Sequence, residues 1–206
     1  MKTILFQGDS ITDCGRSRED GTSLGTGYPL LSAAELGFEN PDSYCFFNRG
    51  ISGNRIVDVY ARIKTDIINL KPDVMSLLIG VNDVGHELNY KNGVDAEKFF
   101  KIYSMLIEEI KAELPDLKIM IMEPYVAKGT ATAENWDYFK TEVAKRAEKS
   151  KEIAEKYNLT FIPLQNKFDE ALKFAPSEYW TRDGVHPTDF GHELIKREWI
   201  KAFKTL

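Results

Sequence analysis

The chain has 206 residues, 43% of them hydrophobic and 29% charged, a composition that suits one domain with its own core and excludes a disordered or fibrous polymer. Its formal net charge of -5 provides no positive field for phosphate backbones or anionic lipid, so neither nucleic acid nor a membrane is expected as a partner. No apolar run approaches the roughly 20 residues that span a bilayer, and the opening MKTILFQGDS is too short in its apolar part for a signal-peptide core, so the expected location is the cytoplasm.

In chain order, short apolar runs alternate with long amphipathic ones. Residues 3–8 form a β-rich run that ends in glycine, and residues 28–36 follow with Leu30, Leu31, Ala34 and Leu36 at helical spacing. Tyr44–Asn48 is a second strand. Beyond the turn at 50–54, Ile56, Val59, Tyr60, Ile63, Ile67 and Leu70 recur in three- and four-residue steps, which predicts one helix with one buried face, stopped by Pro72. Residues 73–80 are almost continuously apolar, as suits a strand covered on both sides.

A helix is predicted over 95–114 and ends before Pro115; a strand follows at 117–123, then a helix at 134–157 and a fifth strand at 159–164. A short helix over 166–174 and a last one over Asp189–Phe203 complete the chain. Strands separated by helical crossovers imply a parallel sheet covered on both faces, so the fold class is α/β, a three-layer α/β/α sandwich with a five-stranded parallel sheet in a single domain over 1–206. In such sheets chemistry gathers at the carboxyl ends of the strands, near the point where strand order reverses.

Small polar groups stand at those ends. Gly8, Asp9 and Ser10 follow the first strand, Asn48 to Gly53 the second, and Gly80, Val81, Asn82 and Asp83 the third, while the loop at 179–187 carries Asp183 and His186. A serine hydroxyl needs an imidazole to take its proton, and the imidazole needs a carboxylate to hold its tautomer, roles that Ser10, His186 and Asp183 would fill. Attack on an ester carbonyl builds negative charge on oxygen, for which the amides of Ser10 and Gly53 and the side chain of Asn82 are suitable neutral donors. At Gly53 any side chain is expected to obstruct the carbonyl oxygen. Asp9 is read as a structural brace of the nucleophile turn, and Gly50 as a turn former.

FQGDSITDCGR, NRGISGN, IGVNDV and DGVHPTDFGH, all in order, resemble the four signature blocks of the SGNH hydrolases, also called GDSL esterases and lipases. That resemblance implies Ser10 as nucleophile, Asp183 and His186 as the other triad members, Ser10, Gly53 and Asn82 as the oxyanion hole, and a flavodoxin-like fold. Val81 stands where the family often has a second glycine. Within the family the GDSITDCGR, GTGY, NRGISGN and IGVNDV run resembles acetylxylan esterases and related carbohydrate acetylesterases. The resemblance therefore implies an acetylated oligosaccharide or other small-molecule ester as substrate, no cofactor or metal, and assembly into a homo-oligomer. Tyr28, Arg55 and Trp180 are candidates to line the substrate pocket.

Competing readings remain at this point. Gly21 to Gly25 spell the G-x-S-x-G string of the α/β-hydrolase elbow, but the polar CGRSRED before it supplies no strand, so Ser23 is expected in a loop. His86 and His192 lack a loop carboxylate at the spacing of Asp183 and His186. A metal site of Asp183, His186 and His192 has no ligand-spacing support, and Cys14 and Cys45 are expected as reduced thiols. A lysophospholipase, thioesterase or platelet-activating-factor-acetylhydrolase-like esterase is the alternative enzyme, and a non-catalytic glycan-binding protein the alternative class.

Overall fold

The computed structural model describes residues 1–206. Its elements are β1 (Lys2–Gly8), α1 (Ser10–Asp13), α2 (Tyr28–Glu39), β2 (Tyr44–Asn48), α3 (Ile56–Ala61), α4 (Ile63–Asp66) and β3 (Val74–Leu78), then α5 (Val81–Tyr90), α6 (Ala96–Glu113) and β4 (Lys118–Met122). The chain finishes with α7 (Trp136–Tyr157), β5 (Thr160–Ile162), α8 (Gln165–Ala171), α9 (Ser177–Trp180) and α10 (Asp189–Phe203).

The five strands pair in parallel in the order β2-β1-β3-β4-β5. Side chains alternate across a pleated strand, and here both sets are buried. Ile4, Phe6, Val74, Leu78, Met120 and Met122 enter one apolar layer with Tyr28, Leu36, Ile195 and Trp199. Leu5, Met75, Leu77, Ile119 and Ile121 enter the opposite layer with Ile56, Val59, Phe99, Tyr103 and Ile107. The single core expected from composition is thus two cores divided by the sheet, and α7 contributes to both, through Phe139 and Val143 on one side and Ile153 and Ala154 on the other.

The one helix predicted over 56–70 is three pieces: α3, α4 and a 3-10 turn at Ile68–Leu70. The buried positions obey the predicted spacing, but the backbone leaves the helical path at Arg62, with φ of -115° and ψ of 17°. Periodicity reports which side of a segment is covered and does not report backbone continuity. Helix α5 has no counterpart among the predicted elements, since VNDVGHELNY offers only Val81, Asp83 and Val84 to the interior.

Reversal of strand order occurs between β1 and β3, since the chain moves outward to β2 before returning to β3. The carboxyl ends of these two strands are therefore the switch point where a ligand crevice opens. Ser10 follows one of them and Asn82 the other.

Tyr28, expected beside the substrate, is instead fully buried. Its ring packs edge-on to Phe6 at 5.8 Å between centroids, and its hydroxyl lies 2.9 Å from the Thr12 hydroxyl. An aromatic residue after a glycine-rich loop has the same sequence appearance whether it faces a pocket or a core. Tyr28→Phe should lower stability by about 1 kcal/mol, the net value of one buried hydrogen bond. A urea midpoint identical to that of the wild type would remove this bond from the stabilising interactions.

Candidate active site

β1 stops at Gly8 because β3 and α1 close around it: a Cβ there would lie 2.4 Å from both the Leu78 carbonyl oxygen and the Thr12 hydroxyl. Asp9 then caps α1, its Oδ1 accepting from the Ile11 amide at 3.0 Å. Ser10 is the first residue of α1, and its Oγ lies 2.9 Å from His186 Nε2. His186 Nδ1 lies 2.7 Å from Asp183 Oδ2, while Asp183 Oδ1 accepts from the Val185 and His186 amides at 2.9 and 2.8 Å. An ionised carboxylate only accepts, so Nδ1 carries the proton and the Nε2 lone pair faces the serine hydroxyl. Burial works to raise the Asp183 pKa, but the His186 amide, the imidazole and the Val185 amide outweigh it and hold the carboxyl below its ordinary value.

Three groups expected as oxyanion donors each keep an N–H without a protein acceptor. The amides of Ser10 and Gly53 have no protein acceptor. Asn82 uses one N–H on the Asn54 carbonyl at 3.1 Å, which fastens its amide to the turn containing Gly53 and leaves its second N–H without a protein acceptor. Gly53 has φ of +83°, and a Cβ there would meet no protein atom within 4 Å. The structural requirement for glycine is thus the left-handed backbone rather than crowding by the protein. At Gly50 the opposite holds, since a Cβ would lie 2.3 Å from the Asp13 amide.

Several supports have partners that the sequence does not reveal. Asn48, fully buried, donates to the Thr12 carbonyl at 2.6 Å and the Leu24 carbonyl at 2.9 Å, and accepts from the Gly50 amide at 2.9 Å. Asp13 Oδ2 accepts from the Ser52 amide and hydroxyl at 3.0 and 2.9 Å. The loop carrying Asp183 and His186 is closed by a bridge between Thr181 and Pro187 and by the Arg182 amide on the His186 carbonyl at 2.7 Å. Behind it, the Ala131 amide donates to the Asp183 carbonyl at 2.9 Å and the Ala127 amide to the Gly184 carbonyl at 2.8 Å. Gly129 packs so closely there that a Cβ would lie 2.3 Å from Asp183 C and Gly184 N.

Ser10 and His186 open onto a cleft of about 480 Å³, whose wall includes Ser52, Thr26, Arg182 and Pro187 and no Leu, Ile, Val, Met, Phe, Tyr or Trp. Arg55 is not among its lining residues; it is held by Asp58 at 2.9 Å and by the Asn92 carbonyl at 2.6 Å. Trp180 lines a separate groove with Tyr179, Phe190 and Leu194. Ser23 sits in a loop, where its hydroxyl accepts from the Ser17 amide at 2.9 Å. His86 lies on α5 against Tyr90.

His192 is buried with its Nδ1 accepting from the Tyr28 amide at 3.1 Å, so its Nε2 proton is directed at Cys14 Sγ, 3.2 Å away. Burial depresses its pKa to about 4, which keeps it neutral. Both cysteines are free thiols, and no group of three or more His, Cys, Asp or Glu is placed to hold a metal ion. No helix is long and apolar enough to cross a membrane.

Known proteins resemble this chain in sequence and in fold. The profile of the GDSL-like Lipase/Acylhydrolase family matches residues 6–194. An acetylxylan esterase from Geobacillus stearothermophilus is 32% identical over 205 residues, covering 96% of this chain and 92% of that protein. A crystal structure of a catalytic mutant of an acetylxylan esterase from the same organism superposes with a TM-score of 0.87 at 31% identity, covering 98% of this chain and 93% of that one. A Parabacteroides merdae protein described as GDSL-like superposes with a TM-score of 0.94 at 34% identity, covering 100% of this chain and 96% of that one.

Two tests follow from the supports of Ser10 and Asp183. Burial pushes the Asp9 carboxyl up to about 7, against the bond from Ile11 and the attraction of His186. The unfolded chain releases that proton near pH 4, so between about pH 4 and 7 the folded state holds the extra proton and loses stability as pH rises, by on the order of 4 kcal/mol across the window. Asp9→Asn keeps the acceptor for Ile11 and removes the titration. Its melting temperature should therefore gain on the wild type between pH 5 and pH 8, and a difference independent of pH would show that no charge is being buried. Gly129→Ala should cost about 1–3 kcal/mol by overpacking and displace Asp183. The downfield proton NMR resonance of His186 Nδ1–H is expected to move upfield, and an unmoved resonance would free Gly129 of this role.

Proposed function

We propose that this carboxylic ester hydrolase, which belongs to the GDSL-like lipase/acylhydrolase family, removes O-acetyl groups from carbohydrates such as xylo-oligosaccharides, acting as one domain over residues 1–206. The observation that carries the reading is the relay from Ser10 Oγ to His186 Nε2 at 2.9 Å and from His186 Nδ1 to Asp183 Oδ2 at 2.7 Å, placed on a small polar cleft.

Ser10 Oγ attacks the ester carbonyl carbon while His186 Nε2 takes the hydroxyl proton, and Asp183 stabilises the imidazolium formed. The carbonyl oxygen becomes an oxyanion and receives the free N–H groups of Ser10, Gly53 and Asn82. As the tetrahedral intermediate collapses, the bond to the sugar oxygen breaks and His186 returns its proton to that oxygen. Water, deprotonated by the same imidazole, then attacks the acyl carbonyl carbon; the bond to Ser10 Oγ breaks, acetate leaves, and His186 returns the proton to Oγ.

The cleft supports a short acyl group and a polar alcohol. A long acyl chain is bound by burying methylenes, each contributing about 0.8 kcal/mol, and this wall offers serine, threonine, arginine and proline instead. Sugar hydroxyls find donors and acceptors on the same surface. The acetylxylan esterase relative is what extends this chemistry to acetylated xylan fragments.

Ser10→Ala should lower kcat by roughly 10⁴-fold or more while leaving the fold intact, as loss of a triad nucleophile does. Unchanged turnover would remove Ser10 from the mechanism. Across acetyl, butanoyl and octanoyl esters the acetyl ester should turn over fastest. Faster hydrolysis of octanoyl esters would place the enzyme with lysophospholipases or thioesterases, and a wild type that binds acetylated sugars without cleaving them would make it a binding protein.

A further inference from the structure

Arg62 is the residue at which the predicted 56–70 helix breaks, and the break turns its side chain toward the strand ends. Only 13% of that side chain is exposed. A guanidinium has five N–H donors in a rigid planar fork, and every one of them is engaged. Nε donates to Asn54 Oδ1 at 2.8 Å. Nη1 donates to the Arg49 carbonyl at 2.8 Å and to Asp66 Oδ2 at 2.6 Å. Nη2 donates to Gln7 Oε1 at 2.7 Å and to the Gly8 carbonyl at 3.3 Å.

These acceptors belong to different parts of the site. Gln7 and Gly8 are the last residues of β1, two or three positions before Ser10, and Arg49 belongs to the loop that leads from β2 to Gly53. Asn54 is the residue after Gly53, and its carbonyl also accepts from Asn82. One planar group therefore connects the nucleophile turn to the turn that bears Gly53 and that holds Asn82, from α5, through the Asn54 carbonyl. Nothing else among the side chains reaches both Gly8 and Asn54.

We propose that Arg62 is a positioning residue that sets the distance between the Ser10 amide and the Gly53 and Asn82 donors, and so tunes oxyanion stabilisation without touching substrate. This rests on the proposed esterase reading. Lysine retains the charge and an ion pair with Asp66, but its three donors on a flexible stem cannot span the same five acceptors.

The test uses p-nitrophenyl acetate as substrate, a fluorophosphonate carried to completion to count competent active sites, and a boronic acid as tetrahedral analogue. For Arg62→Lys, kcat per titrated site should fall about 10- to 100-fold, the scale expected for a displacement near 1 Å, with KM little changed. Boronate affinity should weaken by the same factor as kcat/KM. Asn54→Ala, which removes only the Oδ1 acceptor, should move both readouts the same way, and the double variant should be no worse than Arg62→Lys alone because both break one connection.

A merely structural Arg62 would reduce the number of titrated sites and leave kcat per site and boronate affinity at wild-type values, and that result overturns the inference. So does a double variant whose loss is the product of the two single losses. If Arg62→Lys does not fold, Asn54→Ala decides on the same readouts: wild-type values refute, and parallel losses support. Failure of the underlying reading is distinguishable, because it appears as an active Ser10→Ala whatever the Arg62 variants do.

Discussion

Gly8 has to be bare for the site to exist. With a Cβ 2.4 Å from the Leu78 carbonyl, β1 and β3 could not keep their parallel register to the last residue and also let the chain turn into α1. Because they do, Ser10 leaves β1 beside the end of β3, where Gly80 starts the turn into α5 and Asn82. Reversal of strand order between β1 and β3 means that no crossover helix covers this seam. The crevice is a consequence of topology, and the polar residues occupy an opening the sheet already provides.

The turns around the crevice are loops that have been made stiff. Asn48, Asp13 and Arg62 are each largely buried and each is matched to backbone carbonyls or amides of a neighbouring turn. A buried polar group without partners would cost about 1–3 kcal/mol, so a displaced turn leaves several such groups unsatisfied at once. That penalty resists motion more steeply than apolar packing does, which can slide. Preorganised donors stabilise developing charge because they need no rearrangement at the moment of reaction, and under the proposed esterase reading these networks supply the preorganisation.

The elements and residues that carry strong local chemistry were legible in the sequence. Tyr44–Asn48 and Asp189–Phe203 are observed with the bounds read from apolar pattern alone, and Ser10, His186 and Asp183 come together as their residue types suggested. What stayed hidden depends on contacts between distant segments. Arg62 and Gly129 lie outside the signature-like blocks, and Asn48 lies inside one without showing what it holds, because a side chain that serves a backbone carbonyl leaves no periodicity that names its partner. Tyr28, Arg55 and Trp180 have the sequence appearance of pocket residues for the converse reason. Proximity in sequence to a signature block does not fix the direction of a side chain, and these three point into the core, toward Asp58, and into a neighbouring groove.

Two carboxyls influence His186, and their surroundings drive them apart. Asp183 receives the imidazole and two backbone amides and stays ionised. Asp9, adjacent to Ser10, receives only the Ile11 amide in a fully buried place, and its proton is retained up to about pH 7. Separating the pKa values of nearby acids is a general way to give each one role. Burial keeps the Asp9 proton over much of the acidic range while Asp183 is already ionised there, a separation reached with two ordinary aspartates, one at the cap of α1 and one in the loop before α10.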